Sequence, residues 1–70
     1  MLAQNIRNLR LKKGLSQEKL ARLADIATAT LVKIEAGDAL GPTITTVAKL
    51  AGALEVSIDE LVGKKAGHKV

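Results

Sequence analysis

Apolar residues recur at helical spacing from the start of this chain. Leu2, Ile6 and Leu9 fall on one face of a segment running from Leu2 to Lys13, with arginines and lysines on the others. Gly14 supplies a left-handed stop, and Ser16 is a good N-cap for a second helix. Leu15 before that cap and Leu20 within the helix fit a hydrophobic staple. The second helix is expected to run to about Ala24 and to bury Leu20, Leu23 and Ala24. Further along, Thr43 caps a helix in which Val47, Leu50, Ala51 and Leu54 stand at i, i+3, i+4 and i+7. Ser57-Ile58-Asp59-Glu60 is a capping box that opens a short last helix with Ile58, Leu61 and Val62 inward.

One stretch resists this reading. Ile26-Ala27-Thr28-Ala29-Thr30-Leu31-Val32 alternates like a half-buried strand. Thr28, Thr30 and Val32 are β-branched, each costing up to ~0.7 kcal/mol of helix propensity relative to alanine. Ala27 is a poor cap. A lone strand among four helices, however, has no partner for its backbone groups. The neighbours therefore predict a third helix over about Thr28 to Ala36, with Leu31 and Ile34 inward and Gly37 as its stop. Asp25 before it tolerates the left-handed geometry of a tight turn better than most residues. The predicted fold class is all-α, five short helices. Residues 1–63 form the expected domain and residues 64–70 a basic tail without fixed structure.

Composition narrows the possibilities. The chain has 70 residues, 47% hydrophobic with no aromatic side chain and no cysteine, so its core must come from aliphatic residues and alanine. Disulfides and thiolate metal sites are excluded. No apolar run approaches the ~18 residues of a membrane span, and the N-terminus lacks the regions of a signal peptide. The expectation is a cytoplasmic protein with no membrane partner.

The net charge of +4 is unevenly spread. Up to Lys33, Arg7, Arg10, Lys12, Lys13, Lys19, Arg22 and Lys33 face only Glu18 and Asp25. From Ile34 to Gly63, Lys49 stands alone against Glu35, Asp38, Glu55, Asp59 and Glu60, and the tail adds Lys64, Lys65 and Lys69. A basic first half suits a phosphate-facing surface, although ordinary solvated helix faces give the same pattern. His68, the one histidine, has no acid or nucleophile beside it in the chain. Asp59 and Glu60 are charges favourable at a helix start. No phosphate loop or dinucleotide fingerprint is present, so neither an enzyme nor a bound cofactor or metal is expected.

Two helices joined by a tight turn behind a basic first helix make a helix-turn-helix. "GLSQEKLARLADIATATLVKIEAG", residues 14 to 37, resembles the Cro-type (XRE) phage-repressor helix-turn-helix family, whose fold is lambda-repressor-like. The resemblance extends from Ile6 to about Leu61 and includes "LAGALEVSIDEL", residues 50 to 61, as a closing helix pair. It implies that Thr28, Ala29, Thr30 and Lys33 face base edges of double-stranded DNA in the major groove. It implies that Gln17, at the start of the second helix, meets a phosphate. It also implies that Arg10 and Glu35 form a structural ion pair between the first and third helices. The implied function is that of a transcriptional regulator, binding as a homodimer on half-sites about 34 Å apart. Its dimer surface would lie in the fourth-to-fifth helix region, with Leu40 a candidate contact.

Departures from the family pattern bear on that function. Asp25 and Glu55 stand where glycine is usual, and Ala27 where Ser or Thr caps the third helix. Thr28 and Ala29 replace longer readers such as Gln or Arg. The loop after Gly37, commonly rich in Lys and Arg, reads Asp38-Ala39-Leu40-Gly41. Arg7, Lys12, Lys13 and the tail lysines either replace the missing phosphate contacts or serve only solubility. Thr28 and Ala29 can touch thymine methyls, and Lys33 can reach guanine O6 and N7. A second reading keeps the same fold as a protein-interaction module, antitoxin-like or adaptor, with weak DNA binding.

Overall fold

A computed structural model describes residues 2–37 and 43–63. These form five helices: α1 Leu2–Lys12, α2 Gln17–Ala24, α3 Thr28–Ala36, α4 Ile44–Leu54 and α5 Ile58–Val62. Among the described residues there is no strand, and no helix is long and apolar enough to cross a membrane. The alternating stretch is helical from Thr28 onward, as its neighbours predicted. Leu40 and Asp38, and the tail with Lys64, Lys65, His68 and Lys69, lie outside the described residues.

The core is aliphatic throughout. Ile6 of α1, Leu20 of α2, Leu31 of α3, Leu50 and Leu54 of α4 and Leu61 of α5 are each fully buried, so every helix contributes an anchor. Helix α2 packs on α3 and α4, while α1 packs on α3 and α5. Two apolar expectations fail. Leu23 is 55% exposed, because it lies on a flank of α2 that no neighbouring helix covers. Ile58 is exposed at the start of α5, whereas Leu61 is buried and Val62 packs against the core.

Helix starts follow the caps read from the sequence. Ser16, Thr43 and Ser57 each accept a hydrogen bond from a backbone N–H three residues on, and Ser57 with Glu60 completes the capping box. Ala27 at the head of α3 has the extended backbone of a cap (φ −70°, ψ 141°) but makes no side-chain bond. Three helix ends close in one way. Gly14, Asp25 and Glu55 adopt the left-handed conformation. The next residue then donates its N–H back to the helix: Leu15 to Arg10, Ile26 to Ala21 and Val56 to Ala51, at 2.9–3.0 Å. Leu15, Ile26 and Val56 all pack against the core, which is the apolar contact that accompanies this type of helix stop. Asp25 and Glu55 do so without glycine's freedom, and as acids at helix C-termini they oppose the dipole. A lysine from another helical segment meets each one: Lys49 Nζ lies 3.5 Å from the Asp25 carbonyl oxygen, and Lys13 Nζ 3.3 Å from Glu55 Oε1.

The orientation of α3 rests on one buried polar contact. Arg10 Nε donates to Glu35 Oε2 at 2.7 Å and Arg10 Nη2 to Glu35 Oε1 at 3.0 Å. The third guanidinium nitrogen, Nη1, donates to the Leu15 carbonyl at 2.9 Å. Gln17 Nε2 donates to the same Glu35 Oε1 at 3.1 Å. Glu35 thereby joins α1, the start of α2 and α3 through one carboxylate. The Arg10 and Glu35 side chains are only 10% and 4% exposed. Among the described residues, no buried side-chain nitrogen or oxygen lacks a partner.

Three changes test these contacts by thermal or denaturant unfolding. Glu35→Ala strands the Arg10 charge and should cost about 3–5 kcal/mol, whereas replacing both residues with apolar ones of similar volume should restore most of the loss. Equal damage from the single and double variants would show that the ionic pair itself supplies stability. Ala27→Ser supplies the absent cap and should add about 1 kcal/mol; an unchanged melting temperature would contradict the position of the α3 N-terminus. Glu55→Gly relieves a left-handed non-glycine residue costing about 1–2 kcal/mol, offset in part by glycine's greater unfolded-state entropy. The exposed ion pair it removes is worth little, so a small net gain is expected. A loss of stability would place more weight on Lys13–Glu55 than its exposure suggests.

Candidate nucleic-acid interface

Helix α3 presents one side to the core and the other to solvent. Leu31 and Ile34 point inward and are buried, and Glu35 is held by Arg10 and Gln17. At 100° per residue, the opposite arc carries, in order around the helix, Thr28, Val32, Ala36, Ala29, Lys33 and Thr30. All six are exposed. The only carboxylate on α3 is therefore turned inward and neutralised, and its outer surface has one cation and no anion.

The expected phosphate contacts divide between two places. Gln17, the first residue of α2, borders an open cleft together with Arg7, Arg10, Val32, Glu35 and Ala36. Its carboxamide gives one N–H to Glu35. The Ser16 hydroxyl already accepts the Lys19 N–H in the first turn of α2, and the dipole of that helix favours an anion near Gln17. Arg7 is exposed beside it. Lys12 is exposed at the end of α1, and Lys13 is drawn instead towards Glu55 at the end of α4. Thus Arg7 and Gln17 meet the α3 surface, while Lys13 faces another helix end.

A second cleft runs along the turn between α2 and α3, bordered by Glu18, Arg22, Asp25 and Thr28 among others. Thr28 therefore stands where the turn delivers the chain into α3, and the left-handed Asp25 (φ 59°, ψ 48°) sets the angle between the two helices.

Val32 was not among the residues read as candidates. It is 41% exposed on the outer surface of α3. The available signal was its position three residues after Ala29, on the side opposite Leu31 and Ile34 once those two are assigned inward. Among the described residues there is no group of histidine and acidic side chains able to hold a metal ion.

This arrangement has close counterparts among known proteins. A helix-turn-helix family model (HTH_3) matches residues 6–61. The chain is 39% identical over 68 residues to a prophage-derived HTH-type transcriptional regulator, YopO of Bacillus subtilis (strain 168), covering 96% of this chain and 94% of that protein. It is 34% identical over 65 residues to the HTH-type transcriptional regulator SinR of Bacillus licheniformis, covering 93% of this chain but 59% of the relative's length. A crystal structure of SinR, described as the master regulator for biofilm formation, in complex with DNA superposes with a TM-score of 0.84 at 34% identity. That match covers 89% of this chain and 98% of the SinR chain in the complex. Fold, motif and relatives agree over the same residues, from the first helix to the fifth, and the chain belongs to the Cro-type (XRE) helix-turn-helix family.

Proposed function

We propose that this chain is a DNA-binding transcriptional regulator that places α3 in the major groove. The observation that carries this reading is the surface of α3: an exposed arc from Thr28 to Thr30, with Lys33 its only charge and its one acid buried against Arg10. The relative solved in complex with DNA shares this fold, which supports DNA binding here. Thr28, Ala29, Thr30 and Lys33 face base edges, and Lys33 reaches guanine O6 and N7. The start of α2 at Gln17 receives a phosphate, with Arg7 and Lys12 adding charge along the backbone. Lys13 joins them by leaving Glu55, since an exposed ion pair holds it weakly. Such a protein acts in the cytoplasm, by binding and not by catalysis.

Two copies on a two-fold symmetric site complete the proposal. Ile44, at the head of α4, is 68% exposed, the most exposed large apolar side chain among the described residues. With Ile58 of α5 it gives the α4–α5 region the apolar character expected of a dimer contact. The half-sites then stand about 34 Å apart, on one side of the duplex.

Selection from a randomised duplex pool, followed by titration at two salt concentrations, tests the proposal. An enriched, two-fold symmetric site is expected, with a log–log salt slope of several units, each neutralised phosphate contributing ~0.9. Lys33→Ala should cost about 1–3 kcal/mol at a single guanine position and relax specificity there. Absence of enrichment, with weak and shallow binding, would overturn it in favour of a protein-interaction module of the same fold.

A further inference from the structure

The outer surface of α3 is unusual for a helix that faces solvent. A surface helix normally opposes its core-facing stripe with charged and polar residues. Here Ala29, Val32 and Ala36 are all exposed, and at 100° per residue they fall within an arc of about 60°. Thr28 borders this stripe on one side and Lys33 on the other. Helix α3 is thus apolar both where it meets the core and where it faces away from it.

Resting on the DNA-binding reading above, we propose that Ala29 and Val32 recognise the C5-methyl groups of thymine in the major groove, and that Val32 is a specificity-determining residue. Size favours this ligand. Three side chains, two of them single methyls, are a small part of the ~800 Å² per partner that a stable protein interface covers. They match instead a row of isolated methyl groups. Charge favours it as well: Lys33 lies beside the stripe and Arg7 shares a cleft with Val32, so an apolar strip runs between cations, as a surface entering the groove of a polyanion requires.

Geometry sets how many methyls are read. Ala29 and Val32 are separated by about 4.5 Å along the helix axis, and base pairs by about 3.4 Å. With α3 lying along the groove, the two side chains meet methyls on neighbouring base pairs. Their shortness lets the α3 backbone approach the groove floor more closely than long readers would allow. Ala36, at the far end of the helix, continues the strip towards the cleft lined also by Gln17.

The test uses the duplex enriched in the selection, with each thymine replaced in turn by deoxyuridine. This removes the C5-methyl and leaves every hydrogen-bonding group and phosphate in place. At two adjacent positions of each half-site, the Kd should rise about four-fold per methyl, the value of one buried methyl-sized group. Val32→Ala should weaken binding to the thymine duplex by a similar factor and lose the discrimination at one of those positions. Lys33→Ala should weaken binding to thymine and deoxyuridine duplexes equally. Circular dichroism of the variants is expected to be unchanged, since Val32 is outside the core. A Kd indifferent to every thymine-to-deoxyuridine change would overturn methyl recognition while leaving DNA binding intact. Full deoxyuridine sensitivity in Val32→Ala would overturn the role of Val32. A chain that enriches no duplex at all would remove the DNA-binding reading and this inference with it.

Discussion

Glu35 is the point on which the arrangement of the first three helices depends. Its carboxylate takes two hydrogen bonds from Arg10 and one from Gln17, and Arg10 uses its remaining nitrogen on the turn between α1 and α2. Removing two charges from water costs several kcal/mol per ion, which their attraction only roughly offsets. The contribution of this contact is therefore directional more than energetic. Helix α3 has nine residues, no cap bond and several β-branched side chains, so it has little local preference for its own conformation. Apolar contacts from Leu31 and Ile34 bury one side of it but tolerate some rotation about its axis. A bidentate ion pair does not. Fixing Glu35 fixes which residues of α3 point outward, and hence which side chains the proposed binding mode offers to DNA.

The turn that feeds α3 is governed by a related economy. Asp25 is left-handed without being glycine, and the next residue, Ile26, docks on the core. Glu55 and Val56 repeat the arrangement between α4 and α5. In both, an acid stands at the negative end of a helix, where a cation is the favourable charge. Lys49 and Lys13 supply those cations from α4 and from the end of α1. These contacts are exposed and individually weak. The strain at each turn is borne chiefly by the apolar residue that follows it, whose burial holds the stop in place whatever occupies the left-handed position.

Much of this fold was legible in the sequence because its signals are local. Ser16, Thr43 and Ser57 mark helix starts by a side chain that reaches a backbone N–H three residues away. Gly14 and Gly37 mark ends by their left-handed backbone. Periodicity placed Val47, Leu50, Ala51 and Leu54 on one face, and all four are buried. Leu23 shows where periodicity stops. It stands about 60° from Leu20 around α2, near enough to count as the same face, yet burial depends on whether another helix covers that flank. The same limit concealed Val32, which adjoins Leu31 in the chain but stands about 100° away around the helix. Arg10 and Glu35 are 25 residues apart, and neither composition nor spacing links them. Only resemblance to a family suggested that they meet, and no local signal indicated that Gln17 would join them.

In the proposed DNA-binding mode, stability and recognition are divided between two sides of one short helix. Leu31, Ile34 and Glu35 make the contacts that hold α3, and none of them is free to face a ligand. Ala29, Val32 and Lys33 are exposed and lie outside the buried core. A change on the outer side therefore alters what is read with little effect on folding, whereas a change on the inner side alters folding first and reading only as a consequence. This division explains how the chain can carry residues so unlike long hydrogen-bonding readers on the outer side of α3 and keep its fold. It also sets a limit. Short side chains cannot move to find a base, so any specificity they confer depends on the position of the α3 backbone. That position is set by Arg10, Glu35 and Gln17, none of which needs to touch a base to influence which one is chosen.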